Sequence, residues 1–498
     1  MKGIWFFDDW LVERRDGLER IWGKPTFVKE VFTEFNPPGW MGYGGYMTAF
    51  YDQRLGRYVL YVETYPGFTG PGALHPGQEG PGAFEFRLQS DDPYNWPNPS
   101  YDPSATPAWK GFKDVLVDQH NVPVWAYAVK SLAGTPLAER GYVSTVCDSV
   151  NEHTVGGFSA DGVHFEVDRE HPWQDPGGDT AGDILWNQEA GLYEIFPRPV
   201  PGDRRIALYT TADFEQFSRP ITILQPDALD GVGTEFYDMP PRAYEDMYVG
   251  LLHVYTTDRF EHERIEPLNH LENQLAYWSW MREKWPRVMF YGRVETELTY
   301  SYNGIHWYRS RREPFIGVRA YGLQGGGSVY GMEMLRTEDD KLLFFVWGEK
   351  GGHAVRVDME GAGLDMTGFM SPLLYEMRLD GFCSLKTRGR DGVLRSKVVI
   401  PKAGEMSLNV CTTAHSAVLV QILDGDTAQP IPGYTWEEAV PISGDHLYAG
   451  VHWQERPDFS ELIGRPVRIE IAMREAELFA IRTECEAFYA LRPLQTLW

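Results

Sequence analysis

Ser159-Ala160-Asp161-Gly162-Val163-His164-Phe165 and Ser301-Tyr302-Asn303-Gly304-Ile305-His306-Trp307 share one pattern: a hydroxyl residue, any residue, Asp or Asn, three residues, then an aromatic. Thr211-Ala212-Asp213-Phe214-Glu215-Gln216-Phe217 and Ser90-Asp91-Asp92-Pro93-Tyr94-Asn95-Trp96 repeat it, and Leu379-Asp380-Gly381-Phe382 is a weaker fifth copy. An Asp or Asn at this place caps its own backbone, so each copy reads as a strand entering a turn whose closing aromatic opens the next strand.

Working outward, two further strand-like runs precede each of the first four copies. Tyr46 to Tyr51 and Arg57 to Glu63 flank a turn at Asp52 to Gly56; Asp183 to Trp186 and Leu192 to Arg198 flank one at Asn187 to Gly191. Tyr244 to Tyr255 continues the series, as do Ser328 to Leu335 and Lys341 to Gly348 around Glu338-Asp339-Asp340. Five such meanders across roughly residues 40 to 390 predict an all-β, five-bladed β-propeller, an architecture that protects sheet edges by radial repetition. A pair of β-sandwiches is the alternative, since it too shows short strands between turns. The excess length between Asp258 and Met289 reads as a helical insertion at about 259–285, from Glu261 to Glu266 and Leu271 to Glu283. From about Val398 the turns stop and alternating runs take over, at Met406 to Cys411, Ala417 to Ile422, Pro466 to Met473 and Leu478 to Arg482. The expected division is a propeller over 1–397 and a C-terminal β-sandwich over 398–498.

Composition sets the outer limits. The 498 residues carry a net charge of −25, which repels nucleic-acid phosphate and anionic lipid, so neither nucleic acid nor membrane is an expected partner. No apolar run approaches the ~18 residues of a spanning helix. The apolar run Ile4 to Phe7 is too short for a secretory signal, so the chain as given reads as cytoplasmic. Cys147, Cys383, Cys411 and Cys485 are widely spaced, which indicates reduced core residues and neither a zinc knuckle nor a disulfide framework. The 17 Trp and 27 Tyr set among 51 Gly and 34 Pro point to β-structure with surfaces for stacking.

Several segments together carry a family likeness: Phe7-Asp8-Asp9-Trp10-Leu11-Val12-Glu13, Phe236-Tyr237-Asp238-Met239-Pro240, Tyr300 to Trp307, Arg378 to Leu385, Pro430-Ile431-Pro432-Gly433-Tyr434 and Gly464 to Ile469. They resemble bacterial proteins described as like the N-terminal domain of glycoside hydrolase family 32, with its C-terminal sandwich. The resemblance implies a five-bladed propeller and a sugar-hydrolysing relative. The fructosidase motifs themselves, Trp-Met-Asn-Asp-Pro-Asn, Arg-Asp-Pro and a propeller Glu-Cys, are absent from the chain, so no catalytic residue carries over and the chemistry has to be found in these residues.

Glycoside hydrolysis needs two carboxyls, one protonated and one ionised. Acids just ahead of the innermost strands can converge on a propeller axis. Asp118 precedes Val122 to Trp125, Asp179 precedes Ile184 to Trp186, and Glu235 precedes Met239 to Pro241; these are the catalytic candidates, with Asp179 and Glu235 as the favoured pair. Phe236 and Tyr237 beside Glu235 favour it as the acid, through desolvation. Each is equally readable as a turn-capping or solvated acid. Asp183 and Asp238 are close competitors, and Glu333 is the candidate of the fifth blade, buried and paired with an Arg. Trp40, Trp125, Trp186, Tyr237 and Tyr330 are candidate sugar-stacking residues or core, and His120 is a candidate hydrogen-bonding group. No cofactor and no metal is implied, and oligomeric state is not readable. The expectation is a glycoside hydrolase, exo-acting on a neutral furanoside or related glycan end. A non-catalytic glycan-binding propeller is one rival. A transglycosidase or phosphorylase is the other, the latter needing a basic cluster for which Arg242, Arg319 and Arg336 are available.

Overall fold

The computed structural model describes residues 1–36, 40–65, 83–148, 153–175, 182–200, 204–231, 233–256, 292–320, 322–353 and 367–487. The expected helical insertion at about 259–285 lies outside the described residues, as does Asp179. Among the described residues the regular structure is strand apart from short 3-10 turns.

The chain forms two compact units, one of residues 25–243 and 249–376, the other of residues 1–24, 244–248 and 377–498. The larger unit is of the β-propeller class, its antiparallel meanders following one another in chain order. The first contains Gly42–Asp52, Arg57–Tyr65 and Phe84–Ser90. Ala126–Ser131, Tyr142–Asp148, His153–Ser159 and His164–Asp168 form the second, edged by Val117–Asp118. The third runs through Asp183–Asn187, Leu192–Phe196, Ile206–Thr211 and Ile221–Leu224. Pro241–Tyr244, Met247–Thr256, Arg293–Ser301 and Trp307–Ile316 make the fourth. The fifth takes Ser328–Arg336, Lys341–Glu349 and Met370–Arg378 and completes itself with Thr26–Glu30 from the start of the chain. It joins the first sheet through the parallel pair Met370 and Gly42.

The repeated turns hold this pattern at its outer edge. Asp161 Oδ1 accepts the backbone N–H groups of Val163 and His164, both at 2.9 Å, while Ser159 Oγ accepts that of Gly162 at 2.9 Å. Asn303 and Ser301 repeat this on Ile305, His306 and Gly304, and Asp213 and Thr211 on Glu215, Gln216 and Phe214. Each joins the third strand of its sheet to the fourth. The fifth copy departs from the rest. Asp380 lies in the smaller unit, where its carboxylate accepts from Trp5 Nε1, Tyr244 Oη, Asn409 Nδ2 and Arg482.

The smaller unit has two six-stranded sheets over one core that includes Phe6, Leu18, Leu385, Val420, Ile471 and Leu478. The expected boundary at 397/398 is corrected on both sides. Leu18–Trp22 pairs with Cys383–Thr387, Val12–Asp16 with Asp391–Ser396, and Gly3–Trp5 with Ala476–Arg482, so the first 24 residues and those from 377 onward belong together.

Candidate active site

The first strands of four consecutive propeller sheets send charged side chains to a common point. Lys130 stands near the end of its strand, Asp183 opens the next, and Arg242 and Glu333 come from the fourth and fifth sheets. Arg242 pairs through Nη1 with Asp183 and through Nε with Glu333. Lys130 Nζ lies 2.9 Å from Asp183 Oδ1 and 3.2 Å from Glu333 Oε2. Two cations thus bridge two anions in a closed, electrically neutral quartet. Arg242 also donates to the Pro241 and Met332 carbonyls, so four of its five N–H donors are bonded, as burial demands. Lys130 was not singled out from the sequence; its signal is its register at the end of a first strand.

A third carboxyl, Asp238, sits beside this quartet. Asp183 and Asp238 occupy the same local geometry, each accepting the N–H of the next residue, Ile184 at 2.7 Å and Met239 at 2.8 Å. Both are buried, yet they titrate in opposite directions. Burial by itself would raise Asp183, but Arg242 and then Lys130 outweigh it and hold the carboxyl below its ordinary range. Asp238 lacks such direct pairing. Burial pushes it up to about 7, and the neighbouring charge of Asp183 adds to the rise. Two carboxyls with divergent ionisation are the arrangement that separates a proton donor from an ionised partner.

Aromatic side chains form an arc around the same end of the strands. Tyr46 is edge-on to Tyr127 at 4.5 Å between centroids and approaches Trp347 at 6.4 Å. Trp347 stacks on Tyr330 at 4.0 Å, and Tyr330 meets Tyr237 at 5.6 Å. Arg198, buried, lies 4.6 Å over the Tyr237 ring and donates to its carbonyl. Trp125 joins from the second sheet, its Nε1 donating to Glu63 Oε1 at 2.9 Å, while Glu63 Oε2 accepts the Tyr46 N–H. Gly45 makes this approach workable, for its φ is +65° and a Cβ there would stand 2.0 Å from Glu63 Oε2. Glu85, opposite Glu63 on the adjacent strand, is raised well above the carboxylate range by burial and by Glu63. Tyr46 Oη is buried without a hydrogen-bond partner among the described residues.

Several expected site residues fall elsewhere. Asp118 lies on the outer edge of the second sheet, where it caps the turn through the N–H groups of His120 and Val122 and pairs with Arg169 at 2.8 Å. His120 shares that turn, away from the four first strands. Glu235 is the larger correction: its side chain is 39% exposed and paired with Arg204 at 2.6 Å, so the aromatic neighbours do not desolvate it. Successive residues of the Thr234–Phe236 strand point to opposite faces, which separates Glu235 from Phe236. Trp40 packs into the core against Phe84 and Phe112. Trp186 lies near the far end of its strand against Tyr193. Arg319 stands apart from Arg242 and pairs with Glu30, whereas Arg336 pairs with Asp340 and lines the same cavity as Arg242. No group of three or more His, Cys, Asp or Glu side chains with metal-binding geometry occurs among the described residues.

No family model matches the sequence, and no curated protein matches it. Solved structures do resemble it. A glycoside hydrolase is similar at 10% identity over 72% of this chain and 94% of its own, with a TM-score of 0.41. A family 32 β-fructofuranosidase of Bombyx mori aligns at 10% identity over 93% of this chain and 94% of its own, with a TM-score of 0.40. The β-1,2-mannobiose phosphorylase of Listeria innocua aligns at 10% over 71% and 95%, with a TM-score of 0.41. Likeness of this extent assigns neither substrate nor catalytic residues, and the chemistry rests on the side chains described above.

Proposed function

We propose that the protein is a glycosidase in which Asp238 donates the proton and Asp183 is the ionised partner, acting on the end of a neutral glycan. The supporting observation is the matched geometry and opposed ionisation of these two carboxyls at the start of neighbouring strands. In the proposed reaction Asp238 protonates the oxygen of the departing group as the glycosidic bond breaks, Asp183, held anionic by Arg242 and Lys130, stabilises the positive charge gathering on the sugar, and water adds to the anomeric carbon and releases the proton that restores Asp238. Tyr46, Tyr127, Tyr237 and Trp347 are buried and packed against one another, so they brace this end of the strands as core. The neutral glycan is supported by the charge balance of the quartet, which gives an anionic sugar no unpaired cation.

The test uses paired substrates. Across 4-nitrophenyl and alkyl furanosides and pyranosides, Asp238→Asn should lose about 10²- to 10⁴-fold on alkyl glycosides, whose leaving group needs a proton. It should lose much less on 4-nitrophenyl glycosides, whose leaving group does not. Equal losses on both, or losses under tenfold on alkyl substrates, would remove Asp238 from the role of acid.

A further inference from the structure

A cavity of about 380 Å³ opens onto the quartet. It is lined at its base by Lys130, Arg242 and Glu333 and on its walls by Phe50, Trp186 and Tyr193. From this built site we infer that the cavity, which Asp238 does not line, binds a neutral saccharide of one or two rings as a separate subsite. The volume falls in the range of small-molecule pockets. Its base is rigid, because Arg242 and Glu333 are buried and locked together and Glu333 Oε1 also accepts the Met334 N–H at 3.0 Å. It is also bipolar. Lys130 Nζ has three N–H donors and directs two at Asp183 and Glu333, which leaves one for a ligand hydroxyl. Glu333 Oε2, bonded to that ammonium, keeps a lone pair to accept another. Adjacent donor and acceptor suit a vicinal diol, and the three cations of the lining, Lys130, Arg242 and Arg336, are each already paired with a carboxylate, so neither an anion nor a cation meets an unopposed charge. Trp186, half-buried and braced on Tyr193 at 4.7 Å between centroids, supplies the apolar face on which a sugar ring rests.

The inference shares the saccharide class of the proposed reaction but does not depend on Asp238. Crystals of Asp238→Asn protein soaked with sucrose or cellobiose should show a sugar ring against Trp186, with a hydroxyl within hydrogen-bond distance of Lys130 Nζ or Glu333 Oε2. Calorimetric titration with the same sugars should give binding that weakens at least tenfold in Asp238→Asn/Trp186→Ala. Ala133→Trp, at an exposed lining position, should block the cavity without disturbing its base. Sugar density beside residue 238 alone would overturn this inference while leaving the proposed reaction standing. An empty cavity, undiminished density in Ala133→Trp, unchanged affinity in the Trp186 variant, or preference for glucuronate or glucosamine would each overturn it as well.

Discussion

Replacing Asp238 by Asn keeps the side chain's shape and its acceptor for the Met239 N–H but removes its charge. The native carboxyl titrates at about 7, against about 4 in an unfolded chain. The folded state therefore holds a proton that the unfolded state has released between these two values. Stability that is present below pH 4 is lost progressively as pH rises through 7. A three-unit displacement corresponds to about 4 kcal/mol, of which about 3 kcal/mol falls between pH 4.5 and 8.5. Asn does not titrate, so the difference in unfolding free energy between variant and wild type should move by about 3 kcal/mol in favour of the variant across that interval. Urea unfolding of both proteins at the two pH values measures it, read at the transition in which the 25–376 unit opens. Taking the difference cancels the other buried acids, Glu85 and Glu194, which burial also raises. A difference that stays constant within about 1 kcal/mol would refute the raised titration and with it the assignment of Asp238 as a proton reservoir.

Wild-type turnover should fall on the alkaline side with a midpoint near pH 7 as Asp238 ionises, a limb that a pH–rate profile of kcat/KM will show and that Asp238→Asn should abolish. Arg242→Met should destabilise the protein by roughly 3–5 kcal/mol, because it leaves the buried carboxylates of Asp183 and Glu333 to Lys130 alone; denaturation midpoints will show it. His253 is depressed to about 4 by burial, so it withholds a proton that the unfolded chain takes up below about 6.5, and stability is lost as pH falls through that window. His253→Gln should flatten the decline, by about 3 kcal/mol at pH 4, in the same unfolding assay. Gly45→Ala should reduce the folded yield sharply, since its Cβ would collide with Glu63, whereas Gly56→Ala, equally left-handed but with open space around it, should carry only the backbone cost of about 1 kcal/mol in thermal melts.

The propeller was readable because its signal is local. A hydroxyl and an Asx residue two apart satisfy N–H groups within the same few residues, so Ser159, Asp161 and their three counterparts announce a turn without help from the rest of the fold. The first-strand acids were half readable: sequence named Asp183 and Asp238 as candidates but favoured Glu235, which is part-exposed and paired with Arg204, and Asp179, which lies outside the described residues. Glu235 shows the limit of reasoning from neighbours, as Phe236 points to the opposite face of the strand and Glu235 pairs with Arg204. Lys130 and Arg242 were illegible as a pair, for their partnership spans separate sheets and leaves no periodic trace. The unit boundary failed for the same reason, since pairings such as Gly3 with Arg482 carry no local mark.

The smaller unit is assembled from the two ends of the chain, and this constrains how the protein comes off the ribosome. The strands Gly3–Trp5, Val12–Asp16 and Leu18–Trp22 emerge early, yet their partners lie beyond residue 377. At about 5–20 residues per second, roughly 20 to 90 seconds pass between the first of these strands and the last partner. During that interval their edges are unpaired and open to mispairing with other nascent chains. The charged run Glu13-Arg14-Arg15-Asp16 in the second of them suits a strand that must wait in water. Expression yield should therefore respond to translation speed and to chaperones that shield early segments, and cutting the gene at any single point will not release either unit intact.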